Sequence, residues 1–79
     1  MKIKIKNSGE VKGLYFDERS EFDSFYDQII LALKDETNSK MAIYETEETD
    51  QIFPSLYLKN SFILLSTESD DDTIESQTN

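Results

Sequence analysis

Phe22, Phe25, Tyr26, Ile29 and Leu33 recur at i, i+3, i+4, i+7 and i+11, which makes one apolar stripe along a helix. This stripe constrains the fold most, because one amphipathic helix must bury its dry face against a layer built from the rest of the chain. Ile30 widens it, and the spacing predicts a helix over residues 18–34. Asp17 or Ser20 can cap the free N–H groups at its start. Glu18, Glu21 and Asp23 suit the positive end of the helix dipole, and Lys34 suits the last turn. Asp35, Glu36, Thr37 and Asn38 break the pattern, with Asn38 a left-handed stop.

The layer it packs on reads as strands. Lys2-Ile3-Lys4-Ile5-Lys6 alternates strictly, the pattern of a strand with one dry face. Asn7-Ser8-Gly9-Glu10 is a turn signal, and Val11 to Phe16 follows as the second arm of a hairpin. There Leu14 and Phe16 share one face while Val11, Gly13 and Tyr15 share the other, so the pattern leaves the register open. Lys40 to Thr46 reads as a third strand with Met41 and Ile43 on one face. After the polar turn Glu47-Glu48-Thr49-Asp50, Gln51 to Phe53 starts a fourth strand. Pro54 keeps that strand short or at an edge, or else Pro54 to Leu58 forms a single helical turn. Asn60 to Ser66 is the strongest strand of the second half, and its run Phe62-Ile63-Leu64-Leu65 predicts a central position or burial on both faces. The expected fold is α+β: a single two-layer domain over residues 1–66, about ββαβ(β)β, with one helix on a small, mostly antiparallel sheet. Residues 67–79 carry one aliphatic side chain, Ile74, among acids and are expected to be a disordered acidic tail.

With 79 residues, such a domain buries only about 60% of its unfolded surface, so its stability is small and a partner or homodimer would help it. The chain has no cysteine and no histidine. That excludes disulfides, Cys-based zinc sites, thiol nucleophiles and Ser-His-Asp or Cys-His machinery. Nothing in the carboxylate spacing demands a catalytic pair, and an enzyme is not expected. No cofactor or metal is expected either. Asp70-Asp71-Asp72, with Glu68 and Glu75, lacks the spacing and the glycine of a calcium loop. No apolar run approaches the roughly 18–20 residues of a membrane span, and the alternating MKIKIKN start is unlike a signal peptide, so a cytoplasmic protein without a membrane partner is expected.

The formal charge of −9 is unevenly spread. Residues 1–16 have four lysines against one glutamate, a net of +3, while residues 17–67 have eleven acids against four bases, a net of −7. Asp17, Glu18, Glu21, Asp23 and Asp27 cluster on or near the helix, and Glu45, Glu47, Glu48 and Asp50 cluster at a strand–strand turn. Spaced carboxylates can imitate a phosphate ladder and steer themselves onto a basic partner, although a solvated acidic face has the same composition. Lys2, Lys4 and Lys6 point to one side of their strand. They read as a phosphate-contacting stripe without interleaved aromatics, or as an edge strand guarded by lysines. Tyr57, near Pro54 in an expected loop, is the tyrosine most suited to exposure as an interface anchor, while Tyr15, Tyr26, Tyr44 and Phe53 are expected mostly to fill the core.

The opening KIKIKN hairpin, the helix EFDSFYDQIILALKD and the closing strand LYLKNSFILLS resemble small acidic proteins encoded by phages and prophages of Gram-positive bacteria. In size and acidity the chain is also similar to some anti-CRISPR proteins. The resemblance implies an inhibitor that acts by covering a surface, and it transfers no site residue. The expected function is non-enzymatic: inhibition of a protein with a basic surface, such as a nucleic-acid enzyme, without direct nucleic-acid binding. The expected contacts are Glu18, Glu21, Asp23, Asp27, Glu47, Glu48, Asp50 and Tyr57. The alternative is an assembly module that pairs through a sheet edge, strand 1 or the short Pro54 strand, or that homodimerises.

Overall fold

A computed structural model of the chain describes residues 1–67. From residue 68 onward the expected acidic tail lies outside the described residues. The order is β1 (Lys2–Asn7), β2 (Glu10–Tyr15), α1 (Arg19–Lys34), β3 (Met41–Glu45), β4 (Asp50–Pro54), α2 (Ser55–Lys59) and β5 (Phe62–Ser66). The architecture is α+β with antiparallel pairing throughout. The strands form two sheets instead of one, β2-β1-β5 and the hairpin β3-β4. Pro54 ends β4 and the chain turns at once into α2, so the strand and the helical turn read from this segment both exist.

The first hairpin is closed by Ser8 and Gly9 at φ 52° and 85°. Positive φ at both positions gives the twist that a two-residue hairpin needs. Its register opposes Ile3 to Leu14 and Ile5 to Lys12. Ile3, Ile5 and Leu14 are thereby turned into one buried cluster with Phe16, the helical residues Phe22, Phe25, Ile29 and Ala32, and Ala42, Phe53 and Leu58. This settles the face of β2 in favour of Leu14 and Phe16. Phe16 and Phe25 share the centre of the aromatic packing, and the Phe25 ring centroid is 5.6 Å from Phe16, 6.1 Å from Tyr44 and 6.2 Å from Phe53.

Several expectations are corrected. Neither Asp17 nor Ser20 caps α1: the helix starts at Arg19, so the cap position falls on Glu18, which makes no side-chain capping bond, and Ser20 sits inside the first turn. The buried helical stripe is rotated toward Ala32 and away from Tyr26, which is exposed. Ala32 is buried because the chain from β4 into α2 passes close by, with the Ser55 hydroxyl donating to the Ala32 carbonyl at 2.6 Å. In β3 the dry residue is Ala42, opposite Phe53, while Met41 is exposed. Most consequential is the sheet order. β1 is the central strand and β5 is an edge strand, the reverse of the expectation. The tight turn delivers β2 to one side of β1, and β5 takes the other side. Lys2, Lys4 and Lys6 therefore form a row down the middle of the sheet's outer face and guard no edge. Facing β5 side chains alternate, and no described element covers Phe62 and Leu64 on that outer face.

Candidate functional site

A cleft of about 380 Å³ opens between α1 and β3. The helix contributes Ser20, Glu21, Ser24 and Gln28, and the strand contributes Ile43, Tyr44 and Glu45. Phe16 and Phe25 from the core also line it, with Tyr15 at the end of β2. Ser20, Ser24 and Gln28 stand at i, i+4 and i+8, so one flank of the helix carries short or neutral side chains where α1 passes β3. The Gln28 side-chain oxygen accepts the Ile43 N–H at 2.8 Å, which ties helix to strand and occupies a backbone donor of β3. At the β2 side, the Tyr44 hydroxyl donates to the Tyr15 carbonyl at 2.9 Å and accepts the Tyr15 N–H at 3.3 Å. Its ring stands edge-on to Phe16 at 5.3 Å. Tyr44 is thus held at both ring and hydroxyl and forms a fixed wall, while the neighbouring Tyr15 is 57% exposed.

Glu21 and Glu45 reach the same cleft from opposite elements. The acidic start of the helix and the acidic hairpin, distant in sequence, therefore share this border. Glu18 lies at the helix start. Glu47 and Glu48 lie in the turn beyond Glu45, a turn fixed by Thr46, which bonds the Thr49 carbonyl through its N–H at 2.9 Å and its hydroxyl at 2.7 Å. Asp50 opens β4 directly opposite Glu45. At 100° per residue, Asp27, at i+3 from Ser24 and i+7 from Ser20, flanks the cleft-lining face, whereas Asp23 lies on the side of α1 away from the cleft. Asp23 is paired there with Arg19 at 3.1 Å. Among the described residues, no ion pair engages Glu21, Glu45, Glu47, Glu48 or Asp50.

Tyr57 is not the exposed anchor expected. It sits in α2, half-buried, with its ring 6.0 Å from Phe53 and its hydroxyl 3.5 Å from a Glu10 carboxylate oxygen. Tyr15 and Tyr26 are the exposed tyrosines. The roles of Ser20, Ser24, Gln28 and Tyr44 were not read from the sequence, although the spacing of Ser20, Ser24 and Gln28 was a usable signal. Chemically, the cleft offers carboxylates, hydroxyls and an aromatic wall, a set suited to a cationic side chain such as a guanidinium. Among the described residues, no group of three or more carboxylates is placed to hold a metal ion.

The lysine row faces away from this cleft, on the outer side of the three-stranded sheet. Aromatics do flank it there, contributed by the neighbouring strands: Tyr15 opposes Lys2, whose ammonium is 5.8 Å from the ring centroid, and Phe62 opposes Lys6. In comparisons with known proteins, no family model matches the chain, and neither a curated protein nor a solved structure matches it.

Proposed function

We propose that this protein acts by binding and not by catalysis. Its acidic cleft border occupies a basic surface on a nucleic-acid-handling protein, with carboxylates standing where phosphates would. The observation that carries this reading is the meeting of Glu21 and Glu45 at one cleft, with Glu18 and the hairpin acids Glu47, Glu48 and Asp50 extending the border on either side. Glu21, Glu45, Glu47, Glu48 and Asp50 have no cation of their own among the described residues, so a basic partner would be attracted without first displacing an internal ion pair. Summed over the border, such a field steers association and selects partner orientation. A cytoplasmic inhibitor of the type carried by phages of Gram-positive bacteria fits this reading. No helix of the described residues is long and apolar enough to cross a membrane.

The test is capture of partners from a bacterial lysate by the tagged chain, followed by binding measured with the isolated partner. A nucleic-acid enzyme held at low salt, released at high salt and displaced by its own nucleic acid is the expected result. The double variant Glu21→Lys/Glu45→Lys should weaken binding at least about tenfold. Asp23→Lys, on the far side of the helix, should weaken it much less. Unchanged binding by the first variant would remove the mimicry reading.

A further inference from the structure

Among the described residues, each sheet edge has a device that blocks pairing with another strand, except one. Edge strand β2 turns a charged residue inward, since Lys12 opposes Ile5 on the same face as buried Leu14. Strand β3 has the Ile43 N–H taken by Gln28. Strand β4 begins with Asp50 and ends with Pro54. These are recognised ways of keeping an edge from pairing. Strand β5, Phe62-Ile63-Leu64-Leu65-Ser66, has no charge, no proline and no described element along its free side. It also carries the densest exposed apolar surface of any strand, with Phe62 61%, Leu64 47% and Leu65 40% exposed.

We infer that β5 is the interface to a second copy of this chain. Two β5 strands pair antiparallel about a twofold axis and join the sheets into one of six strands, β2-β1-β5-β5-β1-β2. Full overlap of the five residues centres the axis on Leu64. Leu64 then opposes Leu64 and Phe62 opposes Ser66 on the outer face, while Ile63 opposes Leu65 on the inner face. Every cross-strand pair is apolar or small, so the patch is complementary to itself, as an isologous contact requires. Charge permits it as well. The two lysine rows lie on the two β1 strands, three inter-strand spacings or about 14 Å apart, beyond the screening length at physiological salt. A face-to-face pairing of the sheets would instead bring the rows together. The three exposed side chains offer on the order of 300 Å² per copy, which together with the backbone ladder falls at or below the low end of specific interfaces, so the dimer is reversible.

The test is sedimentation equilibrium of the full chain from about 10 µM to about 1 mM, the range of weak association. Amide hydrogen exchange is measured at both ends of the range. The expected result is a monomer–dimer equilibrium that salt does not weaken, with amides of residues 62–66 better protected at the high concentration. Leu64→Lys places two like charges across the axis and should raise the dissociation constant more than about tenfold. Phe62→Lys serves as the second variant, and circular dichroism of both checks that the monomer is folded. A monomer at every concentration, or a dimer unmoved by both substitutions, would overturn the inference. The acidic cleft is untouched by either variant, so capture of a basic partner reports on the proposed function separately.

Discussion

Asp35 organises the passage from α1 to β3 with a single carboxylate. One oxygen accepts the Thr37 hydroxyl at 2.7 Å and the Thr37 N–H at 3.0 Å, and the other accepts the N–H groups of Ser39 at 2.7 Å and Lys40 at 2.8 Å. The Thr37 hydroxyl is the largest influence, partial burial opposes it, and the backbone donors of Thr37, Ser39 and Lys40 add to it. Together they hold this carboxyl well below its ordinary value of 3.8. Because the folded value is depressed, the stabilisation is full above the unfolded value and is lost as pH falls through the folded one. Thermal melts should therefore show wild type above Asp35→Ala by a constant margin from about pH 5 to 8, shrinking below about pH 4. A second test concerns Ser55, fully buried, whose N–H donates to the Lys40 carbonyl at 3.0 Å and whose hydroxyl donates to Ala32. Ser55→Ala should cost about 1 kcal/mol in urea unfolding, because the backbone bond stays and one buried side-chain bond is lost.

At the scale of elements, the hairpin turn can be improved. Ser8 adopts a left-handed conformation that asparagine accepts more readily, so Ser8→Asn should stabilise the domain by about 0.5 kcal/mol, read as a higher urea midpoint. This hairpin, the extent of α1 and the polar turn before Asp50 were legible because each is written in local chemistry: alternation, helical spacing, and residues that tolerate positive φ. The order of the sheet was not. Phe62 to Leu65 is an unbroken apolar run, and such a run signals burial only when something exists to cover both faces. The alternation of Lys2 to Lys6 told which side of β1 is dry but said nothing of how many neighbours the strand has. Of the candidate site, the two acidic clusters were legible as composition. Their meeting at one cleft depends on how α1 lies against β3, set by Gln28 and Tyr44, contacts that span 15 and 29 residues. Tyr57 was misplaced because Pro54 was taken to open a loop, whereas it precedes a helical turn that folds the ring onto Phe53.

Taken whole, the molecule is a thin core carrying a separated surface charge. A chain of this size has about 3–10 kcal/mol of stability. Phe25→Ala removes the ring that contacts Phe16, Tyr44 and Phe53, at a cost of about 3–5 kcal/mol. Circular dichroism at 25 °C should find that variant largely unfolded or melting far below the wild type. Charge separation makes a different kind of difference. The outer face of the β2-β1-β5 sheet displays Lys2, Lys4 and Lys6 with no acid opposite them in either register, while the acids gather at α1 and the β3-β4 hairpin.

The central position of β1 also bears on the order of events during synthesis. One neighbour of β1 follows within a few residues, but the other, β5, is some sixty residues away, and the Asn7 amide also reaches across to the Tyr57 carbonyl and the Ser61 hydroxyl. Of the five strands described, the first to be made is therefore among the last to be completed. Until residues 62–66 emerge, Ile3 and Ile5 belong to a two-stranded ribbon of the sort that is marginal in water. A nascent chain at that stage is exposed to adventitious pairing, and the three-stranded sheet is complete only when β1 and β5 meet.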